Sequence, residues 1–344
     1  RYALWLGAFV SAAWAASNPQ HQRALANYIA SAVVLVGLAR CFEAVALGRV
    51  GAWVNTVFVT QNVYGVLFST FTPFLFWGLV SNRWAQRLRA LLGLTVIICA
   101  ILINGSRASW ISLGVGIVVF FVASSVASPA LLLARSLILL IFCAVTVSSI
   151  LAIPTLRAPI VERFTTMEAL DADKSYQLRQ ALNTRSLALF AQSPAFGVGP
   201  AQYRQVYVRV EMPEVFGRRT DDLLVNKSAH NSYLHLLAEG GLAAAVPFGW
   251  LIAALTLRGL AAAVRLIRAQ DLWAGSVFAG FASMSVHLWA LSGLTGTHPW
   301  FMYGLVAGMV AAPRARGNGI QPPMPSGTPE RSGRRRRTEV GLAL

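Results

Sequence analysis

Residues 228-SAHNSYLHLLAEGG-241 run directly into 242-LAAAVPFGWLIAALTL-257. The second stretch is continuously apolar and uncharged, as a helix in contact with lipid must be. The first places two histidines, an asparagine and a glutamate where that helix begins. Ionisable groups are costly at membrane depth, so their concentration at this boundary needs a chemical explanation.

Reading outward, the same apolar character recurs. Of 344 residues, 56% are hydrophobic and 12% charged, with a mean hydropathy of +0.58. That balance excludes an ordinary soluble domain. Apolar runs at 2–17, 27–47, 62–81, 90–104, 109–127, 131–152, 240–257, 272–291 and 299–312 predict about nine helices. They do not alternate as barrel strands do, so the expected fold is an all-α integral membrane bundle.

The net charge of +16 does not point to nucleic acid, because the arginines cluster between apolar runs and at the tail. Arg83, Arg87 and Arg89 form one group, Arg258, Arg265 and Arg268 a second, and "RSGRRRRTEV" a third. The positive-inside rule makes all three cytoplasmic. Counting spans from there closes without contradiction: residues 153–229 fall outside, the tail falls inside, and residue 1 falls outside. That parity predicts an odd number of helices ahead of residue 1. The three cysteines, Cys41, Cys99 and Cys143, all sit in apolar runs and imply neither a disulfide framework nor a metal site.

Four regions follow: N-terminal membrane helices (1–152), a large periplasmic loop (153–229), C-terminal membrane helices (230–312) and a basic, disordered cytoplasmic tail (313–344). The loop holds 8 of the 13 acidic residues and both lysines, Lys174 and Lys227. Within it, Tyr176, Leu178, Leu182, Leu187, Leu189 and Phe190 lie roughly at helical spacing and predict an amphipathic helix ended by Pro194 and the "FGVGP" turn.

A few polar residues are candidates for chemistry. Arg107, in "NGSRASWISL" (104–113), follows Gly105 and Ser106 at an expected helix start, where backbone N–H groups and a guanidinium can converge on an anion. Snorkelling to headgroups is the plainer reading. Arg179 and Arg185 are surface arginines unless their helix folds back over the bundle, in which case either reaches the same place. His230 is a cap or interfacial residue by default, and a proton acceptor if it is neutral at the outer surface. His235 and Glu239, four apart, are expected to pair. Glu43 is an intramembrane acid, and His287 and His298 are further candidates. No metal-ligand spacing occurs.

These residues carry a resemblance. "HNSYLHLLAEGGL" (230–242) resembles the signature closing the large periplasmic loop in the bacterial O-antigen ligase superfamily, which also contains O-antigen polymerases and protein O-oligosaccharyltransferases. "NGSRASWISL" is similar to its Ser-Arg motif, and "ALNTRSLALFAQSPAFGVGP" (181–200) to its loop pattern ending in Pro-x-x-Gly-x-Gly. The resemblance implies a helical, GT-C-like membrane glycosyltransferase in the bacterial inner membrane with its site facing the periplasm. It implies transfer from an undecaprenyl-pyrophosphate-linked glycan, without metal or cofactor, to a lipid A-core acceptor. Arg107 and Arg179 would bind the pyrophosphate, with Arg185 as the alternative, and His230 would be the general base; Ser106, Asn231 and His298 would support them. Among relatives of this kind the ligase reading is favoured over the polymerase and the protein-glycosylating enzyme. A transporter of lipid-linked glycans is the rival from another class.

Overall fold

The computed structural model describes residues 2–48, 61–81, 83–125, 129–168, 173–208, 227–269 and 271–312. The expectation for the tail, 313–344, lies outside these residues, as does part of the loop. Among the described residues there are twelve helices and no strands. They are α1 (Tyr2–Ser17), α2 (Pro19–Leu47), α3 (Gln61–Phe71), α4 (Pro73–Leu79), α5 (Trp84–Asn104), α6 (Arg107–Ser125), α7 (Pro129–Leu151), α8 (Pro154–Glu168), α9 (Lys174–Gln192), α10 (Ser232–Arg268), α11 (Trp273–His287) and α12 (Thr297–Ala311).

Four of them, α2, α5, α6 and α10, are long and apolar enough to cross a bilayer, and a bent pair, Leu139–Leu151 with Pro154–Thr165, makes a fifth if taken as one span. The nine apolar runs therefore do not become nine straight spans. Run 62–81 breaks at Thr72, because Pro73 has no N–H to continue the ladder and instead opens α4. Run 131–152 turns through 114° ahead of Pro154 and continues as α8, a helix the periodicity did not predict. The runs at either end form α1, α11 and α12, of 15 or 16 residues each.

Helix α11 is buried on every side, from Trp273 to His287, which is what a helix without a polar face requires. It contributes to two apolar cores, one shared chiefly with α1, α10 and α12 and reaching residues of α2, α3, α4 and α6, the other formed by α2 to α8 and joined by Ala279. Small residues set the spacing: a Cβ on Gly304 or Gly308 of α12 would come within 2.3 or 2.2 Å of a backbone oxygen of α1. Ser283 of α11 lies 2.7 Å from the carbonyls of both Ser69 and Ser112, so its hydroxyl bridges α3 and α6.

The apolar run expected from residue 240 begins eight residues earlier in the structure, at Ser232, and α10 breaks at Gly241 (φ 57°, ψ −157°). The break frees backbone groups that would otherwise bond within the helix, and the turn after α9 takes them up. Val198 and Gly199 donate to the carbonyls of Ala238 and Glu239 at 2.9 and 3.0 Å; Leu242 and Ala243 donate to those of Pro194 and Ala195 at 2.9 and 3.0 Å. The two backbones approach so closely that a Cβ on Gly197 would meet the Glu239 carbonyl carbon at 2.4 Å, and one on Gly241 would meet the Gly197 nitrogen at 2.5 Å. Both glycines also have positive φ.

Gly197→Ala and Gly241→Ala should each cost at least about 3 kcal/mol, from strain and overpacking together. Gly114→Ala and Gly249→Ala, where an added Cβ meets nothing within 4 Å, should be neutral or mildly stabilising. Thermal unfolding in detergent of the four variants checks the contrast.

Candidate functional site

Helix α5 ends at Asn104, Gly105 takes the left-handed conformation (φ 64°) and returns its N–H to the Leu102 carbonyl, and α6 begins at Arg107. Ser106 sits in this tight turn, its carbonyl accepting from the Ser109 and Trp110 amides. The turn is held from the side by a reciprocal amide pair: Asn104 Nδ2 donates to the Gln61 carbonyl at 3.0 Å, and Gln61 Nε2 donates to the Asn104 carbonyl. Beneath it, Arg40 pairs with Glu43 at 3.6 Å, and the Tyr64 hydroxyl donates to Glu43 at 3.1 Å. Glu43 thus has structural partners from two helices.

Arg107 reaches Asp173 at 2.8 Å. Asp173 is at the same time the N-cap of α9, accepting from the Tyr176 amide at 2.9 Å. Burial alone would raise the Asp173 pKa, but the Arg107 guanidinium and the Tyr176 amide outweigh it and hold the carboxylate below its ordinary value. One carboxylate therefore ties the start of α6 to the start of α9.

That tie, with the bend into α8, closes a cavity of about 120 Å³. Among the described residues its lining brings together Ser106, Arg107, Arg163, Arg179, Lys227 and His230, with no carboxylate. Arg179 is held below its ordinary pKa by burial and by Arg107, although a guanidinium stays protonated at any accessible pH. The His230 pKa is lowered to about 4, first by burial and then by Arg179, Lys227 and Arg204. The imidazole is therefore neutral at physiological pH, and its Nδ1 is buried without a hydrogen-bond partner. His230 also has φ 52°, an unusual backbone state for a residue other than glycine or asparagine.

The candidate residues divide cleanly. Arg107, Arg179, Ser106 and His230 line one cavity. Arg185 does not line it: buried one helical turn and a half further along α9, it donates to the Tyr203 and Val206 carbonyls at 3.0 and 3.1 Å and lies 5.1 Å from the centre of the Tyr203 ring. The helix face expected to be apolar buries Leu182 and Leu189 but also carries Gln177, Arg185 and Ser186 inward and leaves Leu187 half exposed; Arg185 and Ser186 are turned in because they bond Tyr203 and Val206. Asn231 caps α10, accepting from the Tyr233 and Leu234 amides. His235 pairs with Glu239 at 3.2 Å, and Glu239 also accepts from the Tyr203 amide, so both belong to the clip between α9 and α10. His298 packs its ring beside Gly296 in the first turn of α12 and does not line the cavity. His287 has Ser69 Oγ at 3.5 Å from its Nδ1.

Sequence reasoning passed over Arg163 and Lys227. Arg163 lies in "PTLRAPIVERF" with no distinguishing periodicity, and only the turn of 114° between α7 and α8 brings it back over the Ser106 turn. Lys227 carries no local signal that separates it from the other lysine, Lys174.

This geometry can hold a multiply charged anion against fixed cations beside a neutral proton acceptor. Residues 90–249 match a family model described as O-antigen ligase. No curated protein matches the chain significantly. The matched segment runs from α5 through the Gly241 break and carries every basic residue of the cavity together with His230. It supports glycosyl transfer of the O-antigen ligase or polymerase type, by a multi-pass membrane protein whose substrates are lipid-linked glycans. Motifs, helical membrane architecture and matched segment agree in supporting the O-antigen ligase superfamily, with the family match spanning residues 90–249.

Proposed function

We propose that the protein is an O-antigen ligase, transferring a glycan from undecaprenyl pyrophosphate to a sugar hydroxyl of lipid A-core, with inversion and without a metal ion, at the periplasmic face of the bacterial inner membrane. The observation that carries this reading is the convergence of four basic side chains and a neutral histidine on one cavity. Charge supports this orientation: α5 begins beside the arginine cluster 83–89 and ends at the cavity, and the positive-inside rule puts that cluster on the cytoplasmic side.

In this mechanism Arg107, Arg163, Arg179 and Lys227 hold the donor pyrophosphate. The acceptor hydroxyl oxygen attacks the anomeric carbon from the face opposite the pyrophosphate. As the new carbon–oxygen bond forms, the bond to the pyrophosphate oxygen breaks and its electron pair stays with the leaving group. The fixed cations stabilise the charge that develops there, each such donor being worth roughly 10²- to 10³-fold in rate. The hydroxyl proton passes to His230. In the free protein burial, and after it Arg179, Lys227 and Arg204, depress the basicity of His230; a bound pyrophosphate offsets the part due to charge, so the histidine becomes a stronger base when the donor is in place.

The reading is tested with purified protein, an undecaprenyl-pyrophosphate glycan and lipopolysaccharide lacking O antigen, in the presence of a chelator. Glycan should move to lipid A-core. Lengthening of the lipid-linked glycan instead identifies a polymerase, and donor binding without product a transporter. His230→Asn is the informative inactive variant, because asparagine tolerates positive φ and so keeps the local backbone. It should lose about 10²- to 10⁴-fold in turnover while still binding donor.

Two further outcomes follow. The acid limb of kcat/KM, which reports the free protein, should lie near about 4, with activity lost as the pH falls through that value and His230 is protonated. An ordinary histidine would place the limb near ~6.5. Arg179→Gln should lower turnover roughly 10²-fold with the melting temperature nearly unchanged. Arg185→Gln should do the reverse, lowering the melting temperature because the Tyr203 and Val206 carbonyls lose their buried donor.

A further inference from the structure

A second cavity, of about 610 Å³, opens between α2, α4 and α5, in the half of the bundle far from the basic cavity. Helices α2 and α5 climb in step. A Cβ on Gly93 would meet Val34 at 2.9 Å, one on Gly37 would meet Ile97 at 2.9 Å, and Arg40 Nη2 lies 3.5 Å from the Ile103 carbonyl. Lining residues at equivalent positions therefore share a level. Asn27 and Ser31 of α2 and Gln86 and Arg89 of α5 form one polar level at the start of α5. Above them the lining is apolar, with Val34, Leu35, Leu92 and Val96. From residue 86 to residue 96 the groove extends about 15 Å along the helix axis. That is half of the ~30 Å hydrocarbon core, the reach of one leaflet.

The charge at the mouth is all of one sign. Arg83, Arg87 and Arg89 cluster at this end, and the lining contains no acidic residue. Arg87 is engaged by the Ser81 carbonyl, whereas Arg89 lines the groove itself. From the Gln86 level to the Ile103 level is about 25 Å along α5, so this site does not share a ligand headgroup with the basic cavity.

We propose that this groove binds one anionic phospholipid, with an acyl chain along the Val34, Leu92 and Val96 walls and the headgroup phosphate on Arg89, steadied by Asn27, Ser31 and Gln86. A guanidinium matches a phosphate with two parallel hydrogen bonds, and basic pockets between membrane helices favour anionic over zwitterionic headgroups. The site is distinct from the transfer reaction. Its assignment to the cytoplasmic leaflet rests on the orientation given above, but the lipid contact does not.

The test is native mass spectrometry of the full chain extracted from vesicles of phosphatidylcholine mixed with phosphatidylglycerol. Wild type should retain one phosphatidylglycerol in preference to phosphatidylcholine. Arg89→Gln should lower that retention roughly fivefold, while Arg83→Gln, the same charge change outside the groove, should leave it unchanged. Circular dichroism of both variants should match wild type, since both positions are exposed. In parallel, a photoreactive side chain at Ser31 should label lipid. Equal retention of the two lipids, equal loss in both variants, or capture by Ser31 of another polypeptide segment or a second copy overturns the proposal.

Discussion

A helix broken at membrane depth must have its backbone groups satisfied by protein, because lipid offers no partners. The Gly241 break in α10 imposes that requirement, and the turn from Pro194 to Gly199 meets it with four backbone hydrogen bonds. Much of the described architecture at this end depends on that exchange. It fixes the end of α9 against α10, while the Arg107–Asp173 pair fixes the start of α9 against α6. A helix held at both ends is a rigid shelf, and Arg179 is carried on it. The Arg185, Tyr203 and Glu239 contacts then fill the space between shelf and α10, which is why those polar side chains are buried there.

The cavity that results is electrostatically unfavourable when empty of anion. Cations that depress one another and a neighbouring imidazole have been brought together at a cost in folding free energy. Such an arrangement is relieved by a ligand carrying several negative charges, and the relief is largest where charge develops during bond cleavage. Asp173 is engaged by Arg107 and in capping α9, so it orients that cation rather than neutralising the whole site. The neutrality of His230 comes first from burial and then from Arg179, Lys227 and Arg204, two of which line the cavity. In the proposed mechanism, anion binding and the basicity of His230 are coupled through the part of its shift that Arg179 and Lys227 cause.

Much of this was legible in the sequence, for identifiable reasons. Continuous apolar runs without alternation fix a helical membrane protein, since only closed hydrogen-bonding units survive in lipid. The Ser-Arg turn was legible because glycine and serine ahead of a helix are local signals, and Arg107 and His230 stood out as ionisable residues at membrane boundaries.

Tertiary structure decided what local pattern cannot encode. Arg179 and Arg185 sit on one helix with equivalent sequence credentials, and only packing against the 199–206 segment turns Arg185 to backbone carbonyls and Arg179 to the cavity. Arg163 joins the site because the chain turns between α7 and α8, a property of packing and not of periodicity. The glycines of Pro194–Gly199 read as an ordinary turn, yet Gly197 and Gly241 are required by each other, some forty residues apart, because two backbones must touch. Residue type and spacing thus determined the fold class and the chemistry available, while the direction in which each charge points came from long-range close approach, a quantity no single stretch of sequence contains.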